Sequence, residues 1–158
     1  MAFQLLLNVL LGFMWMVMTV SFEPVAFFKG YLFGLLILYI FRNFFSSRFY
    51  LFRILAVLNL TYIFIRELIS SNIAVVKTVL KPKLDMKPGI FAYPTILEKN
   101  WEITILANLI TLTPGTLVIE VSPDNKILYV HALDINDAQE SIDSIKNTFE
   151  KAILEVGR

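Results

Sequence analysis

The chain has 158 residues, a formal net charge of +1, 57% apolar residues and a mean hydropathy of +0.69. Ordinary soluble domains are roughly 45–50% apolar, so a purely water-soluble globule is excluded; the length leaves room for one modest soluble domain beside a few membrane segments. Cysteine is absent, which excludes disulfides and any thiolate-based metal or redox chemistry.

Charge is unevenly spread. Residues 1–41 carry only Glu23 and Lys29, Arg42 to Lys87 carries eight Lys or Arg against Glu67 and Asp85, and the remainder is acidic. Ala2 to Phe22 is apolar apart from Gln4, Asn8, Thr19 and Ser21, and about 20 such residues suffice to cross a bilayer core. The N-terminus has no basic region and no clear small-residue cleavage site, so it reads as an anchor and not as a secretory signal. Ser21-Phe22-Glu23-Pro24 predicts a turn into a second apolar run, Val25 to Phe41. There Gly30 and Gly34 have the G-x-x-x-G spacing that lets another helix approach closely. Residues 1–41 are thus expected to form a transmembrane helical hairpin.

Residues 42–87 read as a basic loop, a third membrane-associated helix and a connector. The positive-inside rule places Arg42 to Arg48 in the cytoplasm, with both hairpin ends inside and Glu23 near the outer face. Ile54 to Ile65 is nearly all apolar but only about twelve residues long, bracketed by Arg53 and Arg66. Runs of that length lie in the interface or pack into a neighbour more often than they span. The charge rule favours the cytoplasmic side; the alternative is a tilted span, which with both hairpin ends inside would put the C-terminal domain outside, opposite Arg42 and Arg48. Lys77 to Lys87 is a basic connector broken by Pro82 and Pro88, suited to an anionic headgroup surface. A nucleic-acid partner is not expected, because the attached domain is acidic and its few bases do not cluster.

Residues 88–158 read as a small α+β cytoplasmic domain in the order β-α-β-β-α. Ile90 to Leu97 predicts a strand. Asn100 is placed as N-cap of a helix running to Leu112, with Glu102 in its first turn. At Thr113-Pro114-Gly115 the apolar spacing switches from helical to alternating. Proline stops the helix and biases Thr113 out of the helical region, and glycine permits the reversal into Thr116–Val121. Leu117, Ile119 and Val121 are expected on one strand face. Ser122-Pro123-Asp124-Asn125 predicts a turn into Ile127–Ala132. Asp134 then opens a last helix, with Asp137 in its first turn and the stripe Ala138, Ile142, Ile145, Phe149, Ile153 and Val156. The arrangement is a truncated ferredoxin-like fold, with a sheet edge that a partner could cover.

Catalytic chemistry is hard to find. His131 is the lone histidine and reads as a packing residue on a strand. No nucleophile triad, phosphate loop or metal-ligand spacing occurs, so neither an enzyme, nor a cofactor, nor a metal is expected. Arg66 and Glu67 are ionisable residues beside a membrane segment and stand as candidate intramembrane charge contacts. The alternative is that they mark the wet edge of the third helix. Being adjacent, they point about 100° apart on a helix and cannot both face one partner.

The stretch L106-A-N-L-I-T-L-T-P-G-T116, followed by L128-Y-V-H-A-L-D134, resembles the MrpE/MnhE family, which supplies one of the subunits of the Mrp- or Mnh-type multisubunit sodium/proton antiporters. Asn8, Trp15, Gly30, Gly34, Arg53 and the pair Arg66-Glu67 repeat that family's manner, and the likeness covers almost the whole chain. The resemblance implies a multi-pass plasma-membrane protein whose partners are the other antiporter subunits and the lipid bilayer. It implies an accessory role in assembly and activity, with ion translocation carried elsewhere. Thr113, Pro114, Gly115, Gly30 and Gly34 would then be assembly or structural residues. The competing reading is a free-standing membrane-anchored regulatory or ligand-binding module.

Overall fold

The computed structural model describes residues 2–45, 48–80, 87–135 and 138–157, so the expectations for Ser46, Ser47, Lys81, Pro82, Lys83 and Asp137 lie outside it. The chain forms two compact units, residues 1–55 and 56–158.

In the first unit, α1 (Ala2–Met18) and α2 (Pro24–Ile40) pack together as a hairpin. Each has 17 residues, about 26 Å at 1.5 Å per residue. Pro24 opens α2, a position where its missing N–H costs nothing. The helices meet on a stripe of small or polar residues: Gln4, Asn8 and Gly12 on α1, and Ala26, Gly30 and Gly34 on α2, all buried. Met16 and Leu38 continue the two stripes, and the opposite faces are mostly apolar and exposed, as at Phe3, Leu10, Phe28, Leu32 and Leu36. That inversion, polar groups inside and apolar groups outside, is the reverse of a water-soluble bundle. Trp15 stacks on Phe33 with ring centroids 4.7 Å apart. The start of the next helix joins the polar stripe. Tyr50 N–H donates to Gln4 Oε1 at 2.9 Å, and Asn8 Nδ2 donates to the Tyr50 hydroxyl at 2.8 Å.

That next helix, α3, runs from Tyr50 to Val79, 30 residues or about 45 Å. The twelve-residue apolar run expected to stand alone is only its middle. Arg66 and Glu67 do not end it, because both are good helix formers, and no glycine or proline occurs between Gly34 and Pro82. Among the described residues α3 is the one helix long and apolar enough to cross a membrane.

The second unit carries a three-stranded antiparallel sheet in the order β1-β3-β2: β1 (Gly89–Pro94), β2 (Thr116–Val121) and β3 (Ile127–Ala132). Helix α4 (Asn100–Leu112) separates β1 from β2. The last helical stretch consists of α5 (Ala138–Ser144), a π-helical turn (Ile145–Glu150) and α6 (Lys151–Gly157). The core lies between the sheet and these helices: Phe91 and Tyr93, Leu128 and Val130, then Leu106, Ile110, Phe149 and Ile153.

Two local expectations are corrected. Lys99, not Asn100, caps α4; its N–H reaches Glu102 Oε2 and its ammonium lies 3.0 Å from Glu102 Oε1. A carboxylate three residues into the helix is the better partner for the free N–H groups, so the cap moves back one residue. In β2, Leu117 and Ile119 are about half exposed, and Val118 and Val121 face the core. A register shift between Val118 and Glu120 adds one residue to β2; such a bulge flips the alternation that a regular strand would keep.

Candidate functional site: the helix-to-strand corner and the faces of α3

Helix α4 ends at Leu112, and Thr113 adopts φ −71°, ψ 138°, the extended conformation imposed on a residue before proline. Gly115 has φ +85°, a left-handed conformation that side chains resist. Its carbonyl accepts from Leu133 N–H at 2.8 Å, tying the corner to the chain leaving β3.

The last turn of a helix leaves carbonyls without intrahelical donors. Here side-chain hydroxyls supply them. Thr113 Oγ1 donates to Ile110 O at 2.6 Å and Thr116 Oγ1 donates to the same oxygen at 2.5 Å; the two hydroxyls also touch each other. Ser71 Oγ, from α3, donates to Leu112 O. Thr111 Oγ1 accepts from Val118 N–H at 3.4 Å. A cleft of about 350 Å³ lies beside the corner, with Thr113, Pro114 and Thr116 on one side and Ser141, Ser144 and Ile145 on the other. Hydroxyls and amide carbonyls do not titrate near neutrality. The corner can therefore fix a backbone path and a surface shape, but it cannot relay protons by titrating.

Of the residues singled out from the sequence, Thr113, Pro114 and Gly115 are joined by Thr116 and Ser71, which sequence reading did not select. The run T111-L-T113-P-G-T116 held a signal for Thr116: three threonines around a helix stop are three candidate caps. Ser71 held none, because its partner is 41 residues away. Glu67 is half-buried on the α3 face that carries Ile63 and Ser71. Arg66 points elsewhere and is exposed. Gly30 and Gly34 belong to the first unit, where a side chain on Gly34 would meet Asn8 Oδ1 and Leu11. His131 is half-buried on the outer sheet face, in register with Ile90 and Leu117.

Replacing Gly115 with valine forces a β-branched residue to φ +85° and brings its Cβ to 3.1 Å from Leu133 Cδ1. The expected loss is on the order of 1–3 kcal/mol. Gly115→Asn, which tolerates positive φ, should lose less. Hydrogen exchange of the β2 amides in the purified protein distinguishes the two; equal protection in both variants would contradict a left-handed corner.

Together the fold and site define a class: a chain with three apolar helices and a small α+β unit, in which a helix-to-strand corner is held by side-chain hydroxyls on the last helical carbonyls. The sequence profile of the Na+/H+ ion antiporter subunit family matches residues 8–156, and the chain belongs to that family. It is 53% identical over 158 residues to the E-type Na+/H+ antiporter subunit of Bacillus subtilis, covering 100% of both chains. To the E-type subunit of Alkalihalophilus pseudofirmus it is 47% identical over 156 residues, 99% of both. Among solved structures it is similar to a chain of the Mrp complex from a Dietzia species, with 28% identity and a TM-score of 0.50 over 60% of this chain and 89% of that one. It is also similar to a chain of an archaeal respiratory membrane complex, the membrane-bound sulfane sulfur reductase: 29% identity and a TM-score of 0.55 over 95% and 96%.

Proposed function

We propose that the chain is an accessory, non-translocating subunit of a multisubunit Na+/H+ antiporter, needed for assembly and activity of the complex. Membership of the antiporter-subunit family makes the other subunits of the Mrp complex its partners and a membrane its location. The observation that carries the accessory role is the scarcity of carboxylates: the three long helices contain one, Glu67. An intramembrane proton or sodium route needs a succession of ionisable groups, and one carboxylate does not make a succession. In this reading the hairpin of residues 1–41 and α3 anchor the chain, residues 88–158 form a truncated ferredoxin-like cytoplasmic domain, and Thr113, Pro114, Gly115, Gly30 and Gly34 maintain the shape the complex assembles on.

The length of α3 changes the orientation expected from the hairpin alone. If α3 crosses, its ends lie on opposite sides. Lys77 lies in its last turn and Lys81, Lys83 and Lys87 come after it in the sequence, against Arg42, Arg48 and Arg53 around its start. The larger positive cluster stays inside, which keeps the C-terminal domain cytoplasmic and moves the N-terminus outside. A reporter fused after Arg158 should be active only in its cytoplasmic form, and one fused before Met1 only in its external form. Cytoplasmic activity from both fusions would mean that α3 does not cross.

The functional test is omission of this chain from an otherwise complete set of subunits. Native gels should lose the full-size complex, and sodium-driven proton exchange in membrane vesicles should fall to background. Full exchange by a complex lacking the chain would refute the accessory assembly role.

A further inference from the structure

The structure splits the Arg66-Glu67 pair and gives α3 two faces. On one, Ile63, Glu67 and Ser71 turn toward the α+β unit: Ile63 joins its core and Ser71 caps α4. Roughly opposite, Leu58, Tyr62, Ile65, Ile69 and Val76 are each at least half exposed. With Ile73, also half exposed, they recur every three or four residues, the spacing of a helix–helix seam. Arg66 borders this seam, four residues after Tyr62 and three before Ile69. Its guanidinium has no ion-pair or hydrogen-bond partner among the described residues.

We infer that this outer face of α3 is the docking seam for an apolar helix of another subunit, and that the partner helix carries an Asp or Glu level with Arg66. The inference rests on the accessory-subunit reading above. Two observations select a protein helix over lipid. First, about 20 residues of helix fill a bilayer core, so a 30-residue α3 extends about 15 Å beyond it. The seam continues there: Ile73 and Val76 are both more than half exposed and would face water if only lipid covered the rest. Second, a guanidinium beside an apolar stripe at membrane depth needs an opposite charge. Glu67 does not serve: it lies on the face of Ile63 and Ser71 and forms no ion pair with Arg66. A carboxylate forms paired charge-assisted hydrogen bonds with the planar guanidinium, which also fixes the register of the two helices.

The chain has no cysteine, so single replacements report unambiguously. Cysteines placed one at a time at Leu58, Ile65, Ile69 and Val76, with Val57, Phe64 and Val75 as flank references, are treated with a photoactivated thiol crosslinker in membranes making the whole complex. Seam positions should give adducts to another subunit at least several-fold above flank positions. In parallel, Arg66→Ala and Arg66→Glu should lower the assembled complex several-fold, Arg66→Lys should keep most of it, and reversal of one partner carboxylate to Lys should rescue Arg66→Glu. Seam adducts no stronger than flank adducts, adducts to lipid only, or wild-type assembly of Arg66→Glu would each overturn the inference. Those results, alongside a complex that still disappears when the chain is omitted, would leave the accessory role standing; a complex indifferent to omission would sink both.

Discussion

Gly34→Leu is expected to abolish the packed hairpin of α1 and α2, with loss of the assembled complex. A Cβ on Gly34 would land on Asn8 Oδ1 and lie 3.0 Å from Leu11 Cβ. Neither neighbour can retreat cheaply. Leu11 Cβ is fixed to its backbone, and Asn8 is fully buried and donates to Tyr50 OH at 2.8 Å. Tyr50 in turn shares its hydroxyl with Tyr31 at 3.0 Å. Displacing Asn8 breaks a buried hydrogen bond, costing about 1–3 kcal/mol, and overpacking a close helix contact costs a similar amount. In a membrane the loss is not recovered by burial elsewhere, because lipid is as apolar as the helix it replaces. Gly30→Leu should behave alike, since a Cβ there meets Trp15 and lies 2.9 Å from the Gly12 carbonyl oxygen. Phe28→Leu, on the exposed face, is the matched control. Comparison of full-size complex on native gels checks the set; Gly34→Leu at the level of Phe28→Leu would show that α1 and α2 need not touch.

Asn8 Oδ1 is itself informative. It is buried without a hydrogen-bond partner among the described residues, in the space that Gly34 leaves open. Glycine 34 is therefore not only a gap for a neighbouring backbone. It accommodates the amide whose other end anchors α3, so one small residue in α2 supports a contact between α1 and the third helix of the same unit.

How much of this was legible in the residues depends on the range of the forces involved. Strand β3 and the span of α4 follow from local rules: alternation bounded by turn residues in one case, and a proline stop in the other. The Ser122–Asn125 turn is local too. Asn125 N–H donates to Ser122 O at 2.8 Å, and Asn125 takes φ +60°, which asparagine tolerates. The Ser122 hydroxyl and the Lys126 N–H draw the Asp124 carboxyl below its usual range. The bulge near Ile119 was not legible, because a strand reads as alternating until its partner's register is known. Nor was the full length of α3, since a charged pair ends an apolar run without ending a helix. The pairing of Ser71 with Leu112 and the network around Tyr50 join residues 41 to 46 positions apart, and no periodicity carries such information.

The same holds for Glu150, whose loss is expected to be the most damaging single change in the α+β unit. Its carboxylate is almost wholly buried, at the end of the π-helical turn between α5 and α6. It accepts from Thr95 Oγ1 at 2.5 Å, from Ile96 N–H at 2.9 Å and from Tyr93 OH at 3.1 Å. One side chain thus fastens the last helical stretch to the end of β1 and the loop after it. Glu150→Ala would leave the buried Thr95 and Tyr93 hydroxyls without their acceptor, each costing about 1–3 kcal/mol, and would free the part-buried Ile96 N–H, against a typical domain stability of roughly 5–15 kcal/mol. The unit should unfold or fail to accumulate. Glu150→Gln should be mild. Both Thr95 and Ile96 donate to the same oxygen, Oε1, which an amide oxygen can replace, and the Tyr93 hydroxyl can turn to accept from the amide nitrogen. Alkali should mimic part of the damage. Burial first, and the Glu150 charge second, raise the Tyr93 pKa above its ordinary value of 10.0. A raised folded-state pKa means stability that is intact below pH about 10 and declines as pH climbs beyond it. Tyr93→Phe removes the titrating group and should flatten that decline, while leaving Glu150 two of its three donors. Protease resistance of the unit in the purified complex, followed from pH 8 to pH 11 for wild type, Glu150→Gln and Tyr93→Phe, gives the comparison. Glu150→Ala as resistant as Glu150→Gln would show that the buried carboxylate does not hold the helix to the sheet.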